Sequence, residues 1–204
     1  MLRQLVEDAR FYAGGYPHAK VAAWRILWTC LTDRGYWFLL GYRVTHFATY
    51  SRDLRNPAWW IARVLESILH YINVLASKSE VLADCFMPGT VRFSPGGHYL
   101  LGAKGIGPGT VLQPHVTFGM SVSNGGIERP TVGANVWIGR DCVIAGKLHL
   151  GDGSTVLPGS YVTIDVPPGA VVKGNPARIV RTAFDNTEGR RLVQQVAVPP
   201  GLEP

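Results

Sequence analysis

The stretch VGANVWIGRDCVIAGKLHLGDGSTVLPGSYVTIDVP, Val132–Pro167, decides the fold. Cut every six residues, its first positions read Val132, Ile138, Ile144, Leu150, Val156 and Val162, all aliphatic. The fifth positions read Val136, Cys142, Leu148, Ser154, Ser160 and Val166, all small or apolar. With roughly 30% of positions aliphatic on ordinary usage, six in a row arise by chance about once in a thousand trials. A period of six matches neither the 3.6 of a helix nor the 2 of a half-buried strand. It fits a solenoid in which each hexad forms one flat side of a triangular coil, three to a turn. The aliphatic residue points inward and stacks on its counterparts, so the coils together bury a column that none could bury alone.

The same frame runs upstream through Leu100, Ile106, Leu112 and Phe118. From Phe118 to Val132 is 14 residues, read as two hexads plus two, so the register slips there. A slip in a tight coil requires a loop that leaves it. MSVSNGGIERP, Met120–Pro130, has the glycine, asparagine and proline of such a loop. Loops interrupting a regular scaffold are where function concentrates.

Residues 1–85 read differently. They hold five of the six tryptophans and show helical spacing. In NPAWWIARVLESILHYINVLAS, Asn56 stands as an N-cap and Pro57 at the first helical position. RGYWFLLGYRVTHFATYSRD, from Arg34, has the same character. These helices either pack on each other and a neighbour, or present a Trp- and Arg-bearing face to a membrane surface. The expected organisation is an α-helical region over 1–85, a β-helical domain over 86–181, and a peripheral or partly disordered tail over 182–204.

Composition narrows the function. The chain has 204 residues, 47% hydrophobic, with net charge +6 and pI about 9.4. That balance suits a polyanionic small molecule or a membrane surface. Scattered cations and the absence of a zinc or RNA-binding signature argue against nucleic acid. Cys30, Cys85 and Cys142 form no disulfide or metal pattern. No metal is expected. MLRQLVEDARFYAGG carries acids where a secretory leader is apolar, and no spanning helix is expected. A cytoplasmic setting follows, with peripheral membrane contact through the N-terminal helices as the further option.

The hexads, the excluded loop and the closing VVKGNPARIV, Val171–Val180, together resemble the hexapeptide-repeat acyltransferases. GANVWIG, Gly133–Gly139, is similar to the sugar O-acetyltransferase branch. VLQPHVTFG and GGIERPTVG resemble the serine acetyltransferase branch and its polysaccharide-acetylating relatives. The resemblance implies a mainly β fold, a left-handed parallel β-helix after an α-helical N-terminal region, assembled as a homotrimer with sites between subunits. It also implies an acetyl-CoA-dependent O-acetyltransferase acting on serine or a sugar hydroxyl of a cell-surface polysaccharide precursor. A non-catalytic β-helix scaffold is the alternative.

Acetyl transfer to a hydroxyl needs a base, for which histidine is the usual choice. His115, the fourth residue of its hexad and five before the loop, and His98, read as two coils earlier, are the two candidates. The serine acetyltransferases carry their histidines in an Asp-His-Ala-Thr-Gly turn and an Arg-His-Pro stretch. Here Ser94 falls near the first and Arg129 at the second. Glu128 and Arg129 are the candidate acceptor-binding pair. In the family the KGNPAR turn lies by the adenine end of CoA, so Lys173 and Arg178 would meet phosphate, with Gly174 allowing close approach. Arg140 and Lys147 are read as lining the same groove, and Ala145, Gly146 and Gly159 as leaving room for the pantetheine arm.

Overall fold

The inward column expected from the hexads is present, three residues per turn. The computed structural model describes residues 2–14, 22–50, 59–61, 63–68, 71, 79–81, 84–123 and 126–190. Val132 lies in register with Leu150, Ile138 with Val156, and Ile144 with Val162, each pair 18 residues apart. The strands fall on three flat faces. Face one holds β2 (Arg92–Phe93), β5 (Val111–Leu112), β10 (Trp137–Ile138), β13 (Thr155–Val156) and β15 (Val171–Gly174). Face two holds β1 (Glu80–Val81), β3 (Tyr99–Leu101), β6 (Val116–Gly119), β11 (Val143–Ala145) and β14 (Tyr161–Val162). Face three holds β4 (Gly105–Ile106), β9 (Thr131–Val132) and β12 (His149–Leu150). All pairing within these stacks is parallel until the last strand. The molecule is a parallel β-helix, the form that the hexad period predicts, with the left hand that the resemblance implies.

Each inward aliphatic is sealed: Ile106, Leu112, Ile138, Ile144, Leu150, Val156 and Val162 are all at most 1% exposed. Burying one such side chain is worth about 1.5–3 kcal/mol, so the column is a substantial part of the apolar burial. The fifth-position residues Val136, Cys142, Ser154 and Ser160 are buried beside it.

Two details of the expected frame are corrected. Leu101, not Leu100, is the inward residue of its rung. Leu101 is 1% exposed and lies in register with Phe118, whereas Leu100 is 39% exposed. The step from Leu101 to Ile106 is one residue short of a hexad, and the turn Ser94–His98 before it is long, so the phase shifts locally. Second, Phe118 stacks on Ile144 and Val132 on Leu150, so the interval between Phe118 and Val132 is one step around the coil. The loop therefore carries eight surplus residues, 14 less the 6 of one hexad. They leave as an antiparallel hairpin of β7 (Ser121–Ser123) and β8 (Gly126–Glu128).

The helical region precedes the coils as expected: α1 (Leu2–Gly14), α2 (Ala23–Thr32) and α3 (Arg34–Tyr50). Asp33 separates α2 from α3 and caps the latter, its Oδ1 accepting from the backbone N–H groups of Gly35 (2.8 Å) and Tyr36 (3.3 Å). Gly35 is required here, because a Cβ would sit 1.9 Å from the Phe93 carbonyl oxygen. Phe38 plugs the open end of the column, edge-on to Phe93 and stacked on Tyr99. Two buried arginines staple helices to coils. Arg43 pairs with Asp8 at 2.9 Å and donates to the carbonyls of Met87 and Gly89. Arg92, fully buried, donates to the Tyr12 carbonyl and faces Asp33 at 3.7 Å. Burial still raises the Asp8 and Asp33 carboxyls above the ordinary value, against the pull of these guanidiniums. Of the helix read from Asn56 onward, residues 59–61 and 63–68 are helical, while Asn56 and Pro57 lie outside the described residues.

At the far end β16 (Ala177–Arg181) folds back antiparallel on β15, so KGNPAR is a hairpin turn off the last coil. Residues 182–190 are not peripheral. Asn186, 5% exposed, donates to the carbonyls of Asn135, Gly153 and Ser154. Arg190 reaches Asn135 Oδ1 at 2.8 Å, and Phe184 N–H bonds the Gly169 carbonyl. This segment straps the edge between faces three and one. Residues 191–204 of the expected tail lie outside the described residues.

Candidate functional site

Three edges run the length of the coil, and the strap occupies one of them. The edge between faces one and two carries the histidines. The chain turns there after Leu112, Ile138 and Val156, and the fourth hexad residue of each rung takes a left-handed conformation: His115 (φ 63), Asp141 (φ 57) and Gly159 (φ 71). Glycine suits that geometry, and a histidine there is uncommon and costs about 1–2 kcal/mol. Asn135 takes the same conformation (φ 56) on the strapped edge, so the geometry belongs to the corner of the coil.

His115 and Asp141 occupy the same corner one turn apart, and His115 Nδ1 lies 2.9 Å from Asp141 Oδ1. Neither side chain is buried, with 40% and 54% exposure. Asp141 is held below the ordinary carboxylate value, first by the hydrogen bond from His115 and then by nearby Arg140, whose Nε is 3.2 Å away. An ionised carboxylate only accepts, so the proton of a neutral His115 sits on Nδ1 and the Nε2 lone pair is free. His98 lies on the adjacent rung, not two coils earlier. Its carbonyl accepts from His115 N–H at 3.1 Å, and the two rings are 4.8 Å apart.

Below this cluster the same edge continues past Gly159 to Lys173 and Gly174, with Val156 in register with Val172 and Leu157 N–H bonded to the Val172 carbonyl. At about 4.8 Å per rung, three rungs separate His115 from the Gly174 turn, roughly 14 Å. A Cβ at Gly159 would meet nothing within 4 Å, so the edge is open. Lys173 and Arg178 are exposed and in register across the final hairpin.

The remaining expected site residues occupy the other edge of face two. Ala145 and Gly146 turn there, and Gly146 N–H reaches the Gly119 carbonyl. Glu128 pairs with Lys147 at 3.4 Å and Arg129 with Asp84. Within one chain the width of face two, roughly 13 Å for the span from His115 to Gly119, separates them from the histidines. Lys147 does not share a groove with Arg140. Among the described residues no group of three or more His, Cys, Asp or Glu side chains could hold a metal ion.

Asp141 went unread in the sequence. Its 26-residue distance from His115 hides an 18-residue turn, which appears once the eight surplus hairpin residues are removed.

The Bacterial transferase hexapeptide (six repeats) profile matches residues 129–163. Residues 129–163 are thus similar to the repeat of the hexapeptide transferases. It is 35% identical to the galactoside O-acetyltransferase of Escherichia coli over 92 residues, 39% of this chain and 44% of that protein. It is 37% identical to serine acetyltransferase 2 of Arabidopsis thaliana over 76 residues, 37% of this chain and 24% of the relative. It thus spans less than half the length of these curated relatives. The hexapeptide-repeat fold extends further in space. Soybean serine acetyltransferase superposes with a TM-score of 0.67 at 26% identity, covering 87% of this chain and 68% of that one. The serine acetyltransferase of Neisseria gonorrhoeae gives 0.70 at 19% identity, covering 94% and 70%.

Proposed function

We propose that this chain is an O-acetyltransferase that moves acetyl from acetyl-CoA to a hydroxyl, with His115 as general base. The observation that carries the proposal is the His115–Asp141 pair. Asp141 fixes the tautomer that leaves Nε2 able to take a proton. The acceptor hydroxyl loses its proton to Nε2 as its oxygen attacks the thioester carbonyl; the C–S bond then breaks and the leaving sulfur takes that proton from His115, which returns the base to its neutral form. Asp141 stabilises the transient imidazolium. His98, ring against ring with His115, borders the acceptor position.

The open edge fits the donor. Lys173 and Arg178 offer two cations to phosphate, Arg140 a third, and Gly159 and Gly174 leave the edge clear between them and His115. The acceptor is serine or a sugar hydroxyl, as the names of both groups of relatives suggest. A homotrimer would bring a neighbour's Glu128, Arg129, Ala145 and Gly146 against this edge. The hairpin supports such a contact, since Val122 and Ile127 face each other across it at 85% and 62% exposure.

Thiol release from acetyl-CoA, measured against serine and sugar panels, tests the reading. His115→Asn keeps a residue that tolerates positive φ, so it should retain the fold and lose 100-fold or more in turnover, on the scale of general-base catalysis. Unchanged turnover in that variant would overturn the assignment.

A further inference from the structure

Helix α2 is apolar on two sides. Its inner side places Ile26 and Cys30 against the hydrophobic core. Its outer side carries Trp24, Leu27, Trp28 and Leu31, at 50%, 63%, 50% and 64% exposure. These four positions follow i, i+3, i+4, i+7 and form one stripe. With aromatic side chains burying about 150–250 Å² when covered, the stripe exposes on the order of 400 Å², as large as the largest patch on a typical monomer. The core does not need this stripe, since the inner side already does the packing.

We infer that this stripe is a docking surface for an anionic lipid bilayer. Charge complementarity selects that occupant. Over residues 22–34 the one acid, Asp33, is buried and faces Arg92, while Arg25 is half-buried and Arg34 exposed. Every uncompensated charge along residues 22–34 is therefore positive. A second copy of the same face would set arginine against arginine, whereas anionic headgroups meet both cations. The remaining polar groups suit an interface. Thr29 and Thr32 bond their hydroxyls to the helix carbonyls of Arg25 and Trp28, at 2.9 and 2.8 Å, and need no water there. Tryptophan and arginine together are the pattern of helices lying in the headgroup plane. The helical residues 59–61 and 63–68 carry a similar exposed set, with Ile61, Val64 and Leu65 at 69%, 61% and 43% exposure. No helix among the described residues is long and apolar enough to cross a membrane, so the contact is peripheral.

The full chain should sediment with phosphatidylcholine vesicles containing phosphatidylglycerol, and weakly with phosphatidylcholine alone. Trp28→Ser with Leu31→Ser removes two exposed side chains and should cut the partition constant at least tenfold while leaving the far-ultraviolet circular dichroism intact. Arg25→Gln with Arg34→Gln should abolish the preference for phosphatidylglycerol but keep the apolar contribution. The inference is overturned if the wild-type chain stays in the supernatant with both vesicle types. It is overturned equally if the stripe variant binds like wild type, or if that variant instead lowers the molar mass in light scattering with no vesicle binding by either protein.

Discussion

Leu100 and Leu101 are chemically identical neighbours pointing in opposite directions, so replacing each by alanine isolates the effect of the inward column. Leu101 is 1% exposed, in register with Val81 on one side and Phe118 on the other. Leu100 is 39% exposed between Glu80 and Thr117. Leu101→Ala removes buried methyl groups and leaves a cavity in a stack that cannot collapse without shifting the rungs on either side, costing about 2–5 kcal/mol. Leu100→Ala removes half-solvated surface and should cost under about 1 kcal/mol. With a urea m-value of about 2 kcal/mol/M, Leu101→Ala should lower the unfolding midpoint by about 1–2.5 M and Leu100→Ala by less than about 0.5 M. Circular dichroism against urea, at one protein concentration for all three proteins, reads both. Equal losses, or a larger loss for Leu100→Ala, would refute the register and with it the phase of every rung before Ile106.

Three further outcomes follow from the same geometry. The Asp141 carboxyl, followed by NMR, should titrate below the ordinary value of about 3.9 and move up toward it in His115→Asn. The stability it contributes is present above that ordinary value and lost as pH falls through the lowered one, so acid unfolding of His115→Asn should begin at higher pH. Burial pushes the Cys85 thiol up to about 12 and raises Cys142 as well, so at pH 8 a disulfide reagent should leave both unmodified until urea releases them. Asn186→Ala leaves the carbonyls of Asn135, Gly153 and Ser154 without their shared donor, and should cost about 1–3 kcal/mol in the urea midpoint.

How much of this was written in the sequence depends on whether a repeat enforces it. From Val132 to Val162 every sixth residue meets the same corner geometry, so the frame is legible and the structure follows it rung by rung. Around Leu101 a long turn and a short hexad offset one another, and local spacing cannot tell which of two leucines faces inward. His115 could be singled out as an outward imidazole, but Asp141 could not, because a hairpin of eight surplus residues separates partners that stack directly. The same hairpin explains why Glu128 and Arg129, close to the histidines in a linear reading, stand across face two from them. The strap is unreadable for another reason: Asn186 and Arg190 bind backbone carbonyls of distant turns, and such contacts leave no periodic trace. The helical character of the first half was plain, yet its docking through Arg43, Arg92 and Phe38 rests on single long-range contacts.

The central claim is that donor and base share the edge from His98 through His115, Asp141 and Gly159 to Lys173. Titration of CoA into the isotopically labelled chain tests it most directly. Saturable amide shifts should run along that edge, at His115, Asp141, Gly159, Lys173 and Gly174, and weaken with salt. Shifts confined to the strapped edge at Asn135 and Gly153, or no saturable binding at all, would contradict it.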